Sequence, residues 1–175
     1  CGHPNTGKTS LLNAIVGRKV ASVSRTAGHT KHLQHIPLEL FNFPVNTEKF
    51  APNKSYHERS RVFIYFKRRK PSELQILENT LIERKINYKV FDYVKRYEEC
   101  EYLEYLKNAK YGIILDAHES QGFAIEEAMS CNVPLLVWNA TSMAQEDGIN
   151  YPPYPATSIP YWDDMCGEVF TDWIN

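Results

Sequence analysis

Four short apolar, β-rich runs separated by helix-forming stretches constrain this chain more than any other feature. Arg61 to Phe66 reads R-V-F-I-Y-F, Tyr88 to Tyr93 is a second run, Tyr111 to Leu115 reads Y-G-I-I-L, and Val133 to Trp138 is a fourth. Runs of this length without polar alternation predict strands buried on both faces. Between the first two, Pro71-Ser72-Glu73 opens a helix with leucine or isoleucine at 74, 77, 81 and 82 along one face. Glu99 to Ala109, with Tyr102, Leu103 and Leu106, predicts a second helix, and Ile125 to Ser130 a third. Strand alternating with helix predicts an α/β fold, a Rossmann-like parallel sheet with helices on both faces.

Composition sets the outer limits. The 175 residues are 43% hydrophobic and 23% charged, a globular profile with enough chain for a core. A formal net charge of -1 argues against bulk attraction to nucleic acid or anionic membrane. The apolar runs are too short to span a bilayer. Cys1, Cys100, Cys131 and Cys166 have no zinc spacing, and no secretory signal is present. These cysteines are expected to be reduced thiols in a cytoplasmic protein. A chain that opens on Cys1 is expected to be a fragment.

Three zones divide the chain. Residues 1–40 form a partial P-loop segment, residues 41–60 a linker or long loop with two prolines and three asparagines, and residues 61–175 the sheet-forming body. In the first zone, Gly2 to Thr9 reads G-H-P-N-T-G-K-T, a match to the phosphate-binding pattern G-x-x-x-x-G-K-[ST]. Its glycines let backbone N–H groups turn onto phosphate oxygens, Lys8 suits the β- and γ-phosphates, and Thr9 suits a magnesium ion. Ser10 to Val16 supplies the following helix, whose N-terminal dipole favours the same anion.

The longer stretch through T-A-G-H-T-K-H-L-Q resembles the circularly permuted GTPases of the MMR1/HSR1 group. The resemblance covers residues 1 to about 38 and implies GTP and magnesium. Asn5, Gly7, Lys8 and Thr9 would touch phosphates and magnesium, and Thr30 would be the switch threonine on magnesium. Ala27 stands where that family usually has proline, and Asp164-Met165-Cys166-Gly167 matches the letters of D-x-x-G far from the expected distance.

A second signature lies in the body. Tyr111 to Glu119 is a strand ending in polar residues, Gly122 permits a tight turn, and the N–H groups of Phe123, Ala124 and Ile125 open a helix. Glu127 stands one turn into that helix. The pattern E-S-Q-G-F-A-I-E-E-A-M-S-C-N-V-P-L-L resembles the C-terminal nucleotide-sugar half of retaining GT-B glycosyltransferases. That resemblance implies Glu119 near the transferred sugar as the catalytic group, a diphosphate at Gly122, Phe123, Ala124 and Ile125, and the ribose at Glu127. It implies a nucleotide sugar and an unknown acceptor as partners, no required cofactor, and transfer activity once an acceptor domain is supplied. The primary expectation is therefore a nucleotide-sugar-binding domain of glycosyltransferase type. A GTP-binding protein led by residues 1–38 and an inactive hybrid of two fragments are the alternatives.

Weaker signals complete the reading. His29, His32 and His35 share a spacing of three without a fourth metal ligand. Lys67 to Lys70 is expected to be a solvated face, and Tyr151 to Trp162, with four prolines, an ordered loop packed on the domain.

Overall fold

The computed structural model describes residues 44–173. The chain divides into two units, Cys1–Phe41 and Asn42–Asn175, and the described residues belong to the second. The phosphate loop, Thr30 and the three spaced histidines lie outside the described residues.

Five strands and three α-helices, with three short 3-10 helices, are found among the described residues. The strands and α-helices are β1 (Arg61–Lys67), α1 (Pro71–Glu83), β2 (Tyr88–Asp92), α2 (Glu99–Lys107), β3 (Ala109–Asp116), α3 (Phe123–Ser130), β4 (Leu135–Trp138) and β5 (Gly167–Phe170). All neighbouring strands pair in parallel, in the order β2-β1-β3-β4-β5. The expected α/β architecture, a parallel Rossmann-like sheet covered on both faces, is what the chain adopts. The four expected strands and three expected helices are present, with ends shifted by one to two residues. The fifth strand was not expected. Its sequence, G-E-V-F, is too short and too polar to stand out, and pairing with β4 creates it.

The side-chain period of two sorts each central strand between two cores. Phe63, Tyr65, Ile114, Leu135 and Val137 meet Tyr102 and Leu106 of α2 and Ala124, Ile125 and Ala128 of α3. Ile64, Phe66, Ile113, Leu115 and Trp138 meet Leu77 and Leu81 of α1 on the other face. On α1, Leu77 and Leu81 are fully packed, whereas Ile82 is 61% exposed. One residue along a helix is a rotation of about 100°, which carries position 82 off the buried stripe.

Helix α1 starts where the sequence places it, with Pro71 in the first turn and the Glu73 carboxylate accepting from the Lys70 N–H at 3.1 Å. It ends at Glu83, followed by Lys85 in the left-handed region at φ 57°, with the Ile86 N–H donating to the Leu81 carbonyl at 2.8 Å. Gly112 lies beneath the Phe63 ring, where an added Cβ would fall 2.3 Å from Cζ. This close approach explains a glycine inside a buried strand.

Residues 44–60 pack onto the same unit. Phe50 is 3% exposed, and its carbonyl accepts from the Cys131 thiol. The Arg59 guanidinium donates to the carbonyls of Cys131 at 2.9 Å, Asn132 at 3.0 Å and Lys54 at 3.1 Å. It thereby caps the negative end of α3, whose last carbonyls have no partner within the helix. Phe50→Ala should cost about 3–5 kcal/mol, the range for a truncated core aromatic. It should also expose residues 44–60 to protease while the parent resists cleavage there. Thermal unfolding and limited proteolysis check this, and an unchanged melting temperature would refute it.

Candidate functional site

The strand order fixes where a ligand cleft can form. From β1 the chain moves to β2 on one side and then to β3 on the other, so the winding reverses between β1 and β3. A crevice opens outside the carboxyl ends of strands at such a reversal. Here the ends are Lys67 and Asp116, aligned in register. A cleft of about 710 Å³ lies at this edge, lined among others by Lys67, Tyr93, Arg96, Glu119, Gly122 and Glu127.

The α3 N-terminus forms one wall. Gly122 has φ 82°, a left-handed backbone that favours glycine, and its carbonyl accepts from the N–H groups of Ile125 and Glu126. The Phe123 and Ala124 amides precede that ladder. The helix is held from behind by the Tyr102 hydroxyl, which donates to the Ala124 carbonyl at 2.9 Å. Glu119, Gly122, Phe123, Ala124 and Glu127 border one cleft. Ile125 is placed differently, because its side chain is core.

The charged groups here are paired to very different extents. The Glu119 carboxylate is bound by the Lys67 ammonium, and its N–H donates to the Thr157 carbonyl at 2.9 Å. Asp116 is fully buried, and no donor reaches either carboxyl oxygen. Burial pushes its pKa up to about 9, against the pull of Lys67, whose Nζ lies 3.8 Å from Oδ2. The half-buried Glu127 is pushed up to about 7, first by burial and then by the nearby Glu99 charge, with Lys49 opposing. Burial also raises the phenols of Tyr65, Tyr97 and Tyr102, so these three hydroxyls that line the cleft stay neutral.

A second set of ionic contacts stands beside it. Glu146 is 4% exposed, takes Arg68 at 3.1 Å and accepts His118 Nε2 at 2.6 Å. Arg69, expected on a solvated face, is 1% exposed. It pairs with Glu73 at 2.6 Å and donates to the carbonyls of Asp116 and Trp138, each at 3.3 Å. The Ser158 hydroxyl donates to the same Asp116 carbonyl at 2.7 Å, and its loop, Tyr151 to Trp162, packs on the domain through the buried Ser158 and Ile159. Sequence reasoning missed Asp116, Glu146 and Arg69. A charge closing an apolar run was a usable signal for Asp116. Nothing in the local pattern marked Glu146. Among the described residues, no group of three or more metal-ligating side chains is placed to hold a metal, and no helix is long and apolar enough to cross a membrane.

Comparison with known proteins decides the affiliation. The family model described as 50S ribosome-binding GTPase, MMR_HSR1, matches residues 1–90, just over half of the 175-residue chain. The chain belongs to this family. Guanine nucleotide-binding protein-like 1 of Homo sapiens is 67% identical over 33 residues, which are 19% of this chain and 5% of that protein. Large subunit GTPase 1 homolog of Mus musculus is 55% identical over 38 residues, 22% of this chain and 6% of that protein. The chain spans about a twentieth of the length of these curated relatives. No solved structure matches it.

Membership of the MMR_HSR1 family corrects the primary expectation. The family match continues through residue 90, across β1 and α1, into the region assigned to a glycosyltransferase half. The glycosyltransferase function is therefore withdrawn, together with its nucleotide-sugar and acceptor partners and its freedom from cofactors. The physical reason for the misreading is that a buried strand, a glycine turn and a helix N-terminus recur across doubly wound folds and do not specify a ligand. In addition, the Glu119 carboxylate is already engaged by Lys67.

The pH dependence of stability tests the electrostatics of the cleft. Glu127 has an ordinary pKa of 4.5 when unfolded and a raised one of about 7 when folded. The native state then holds the proton more tightly, so stability falls as pH rises from about 4.5 to 7. Glu127→Gln removes this loss. The melting temperature of the variant should rise relative to the parent across that window and stay offset by a constant above it. Parallel melting curves from pH 4 to 8 would contradict the assignment.

Proposed function

We propose that this chain is a GTP-binding module of the circularly permuted MMR1/HSR1 type and that residues 1–38 carry the nucleotide site. The observation that supports the reading most is the family match over residues 1–90, which takes in the whole loop Gly2 to Thr9. In this reading the backbone N–H groups of Asn5 and Gly7 meet phosphate oxygens, and Lys8 neutralises the β- and γ-phosphates. The hydroxyl oxygens of Thr9 and Thr30 are hard donors of the kind magnesium prefers, so the donor set fits that ion. Bound magnesium would neutralise phosphate charge. Lys8 would orient the phosphate chain, and Thr9 and Thr30 would be the residues that hold the ion. The printed names of the relatives, a guanine nucleotide-binding protein and a GTPase, favour a guanine nucleotide over other phosphate ligands.

Calorimetry on the full chain tests this. GTP with magnesium should bind, and chelating the metal should weaken binding. Lys8→Ala removes charge-assisted hydrogen bonds worth about 1.5–3 kcal/mol, so affinity should fall roughly tenfold or more. Thr9→Ala should lower the magnesium dependence rather than the whole affinity. Absence of GTP binding in the parent, or equal affinity in Lys8→Ala, would defeat the proposal.

A further inference from the structure

Beside the cleft, in a smaller pocket of about 200 Å³ that shares Lys67 and Glu119 with it, stands a group of charges that the GTP-binding reading does not use. Asp116 closes β3 with a fully buried carboxyl group whose two oxygens receive no hydrogen bond. The Lys67 ammonium lies 3.8 Å from Asp116 Oδ2 and pairs directly with Glu119. The three side chains are 15%, 0% and 12% exposed for Lys67, Asp116 and Glu119 respectively. One buried and one largely covered carboxylate against one ammonium leave an uncompensated negative charge, an arrangement that favours keeping one of them protonated.

The surrounding groups leave few other solutions. From β1, Tyr65 and Lys67 face the pair. Arg69 is committed to Glu73 and to backbone carbonyls, including that of Asp116 itself. Arg68 and His118 are engaged by Glu146. The Ser158 hydroxyl donates to the Asp116 carbonyl oxygen rather than to its carboxyl group. As a carboxylate, Asp116 has no donor. As an acid, it becomes a donor itself, and the Glu119 carboxylate, which pairs with the same Lys67 ammonium, is an acceptor.

We propose that Asp116 and Glu119 share one proton, Asp116 donating it to the Glu119 carboxylate, with Lys67 balancing the single negative charge of the pair. The pair is a proton-operated latch. It ties the loop after β3, which carries the Gly122 turn, to the end of β1. The backbone bonds of that loop run from Ala117 N–H to the Lys67 carbonyl and from Glu119 N–H to the Thr157 carbonyl, so they leave the Glu119 side chain held by the charges alone. Loss of the proton sets two carboxylates against one ammonium and drives Glu119 outward, toward the cleft it borders. The burial that raises the Asp116 pKa supports the same arrangement.

Carboxyl carbon NMR on the full chain between pH 4 and 10, with Asp116 assigned through its backbone, tests the latch. The Asp116 carboxyl should remain protonated at pH 7 and titrate on the alkaline side. In Glu119→Gln the midpoint should fall by about one pH unit or more, because a neighbouring negative charge is removed and Lys67 turns fully to Asp116. In Lys67→Met it should rise. Above the parent midpoint, the Glu119 amide should lose hydrogen-exchange protection beyond the intrinsic effect of pH. An Asp116 that titrates in the ordinary acid range would overturn the proposal. So would a midpoint unmoved by Glu119→Gln, the result expected if Asp116 were satisfied by water independently of Glu119.

Discussion

One buried guanidinium organises the edge of the sheet where everything of interest happens. Arg69 follows β1, pairs with Glu73 in the first turn of α1, and reaches the carbonyls that end β3 and β4. It also lies over the Trp138 ring, 5.5 Å from its centroid. Parallel strands end in carbonyls with no further ladder partner, and buried carbonyls must find donors. A planar group with several fixed donors answers that need for two strands at once. A buried charge is tolerable because Glu73 is its partner. Removing either member would leave the other stranded. The β1–β3 ladder aligns Lys67 with Asp116 at the same edge.

The cleft then combines a fold-level rule with local costs. The reversal of winding between β1 and β3 places an opening there whatever side chains line it. What is particular to this chain is how poorly the opening is neutralised. Asp116 is buried without a donor, and Glu127 is held above its ordinary pKa. Both features reduce stability at neutral pH. Local violations of this kind concentrate where a chain has a task other than folding. The family match runs over residues 1–90 and so takes in the first unit and the start of the second. The second unit supplies a sheet with a polar, proton-holding edge of its own.

The fold was legible in the sequence to a large degree. R-V-F-I-Y-F and Y-G-I-I-L could only be central strands, since a parallel sheet buries both faces and leaves no polar alternation. Pro71 marked the α1 start for the reason it is used there, a missing N–H where no partner exists. β5 was not legible, because four residues with two exposed side chains become a strand only by pairing with β4. Arg69 was misread for a related reason. In K-R-R-K all four residues look alike, and only the turn after β1 directs one of them inward.

The site divides in the same way. By itself, the sequence showed the phosphate-loop pattern G-x-x-x-x-G-K-[ST], and it determined the α/β class through the period of its apolar runs. The local placement of Glu119, Gly122 and Glu127 was also readable, because they lie within nine residues on one turn and one helix. The meaning assigned to that turn was not, since strand, glycine and helix recur in folds of unrelated function. Only the tertiary structure brought Lys67 between Asp116 and Glu119, across 49 and 52 positions of chain (116 − 67 and 119 − 67). Only burial could decide the protonation of Asp116. Desolvation depends on everything packed around a group, and no stretch of neighbouring sequence encodes it.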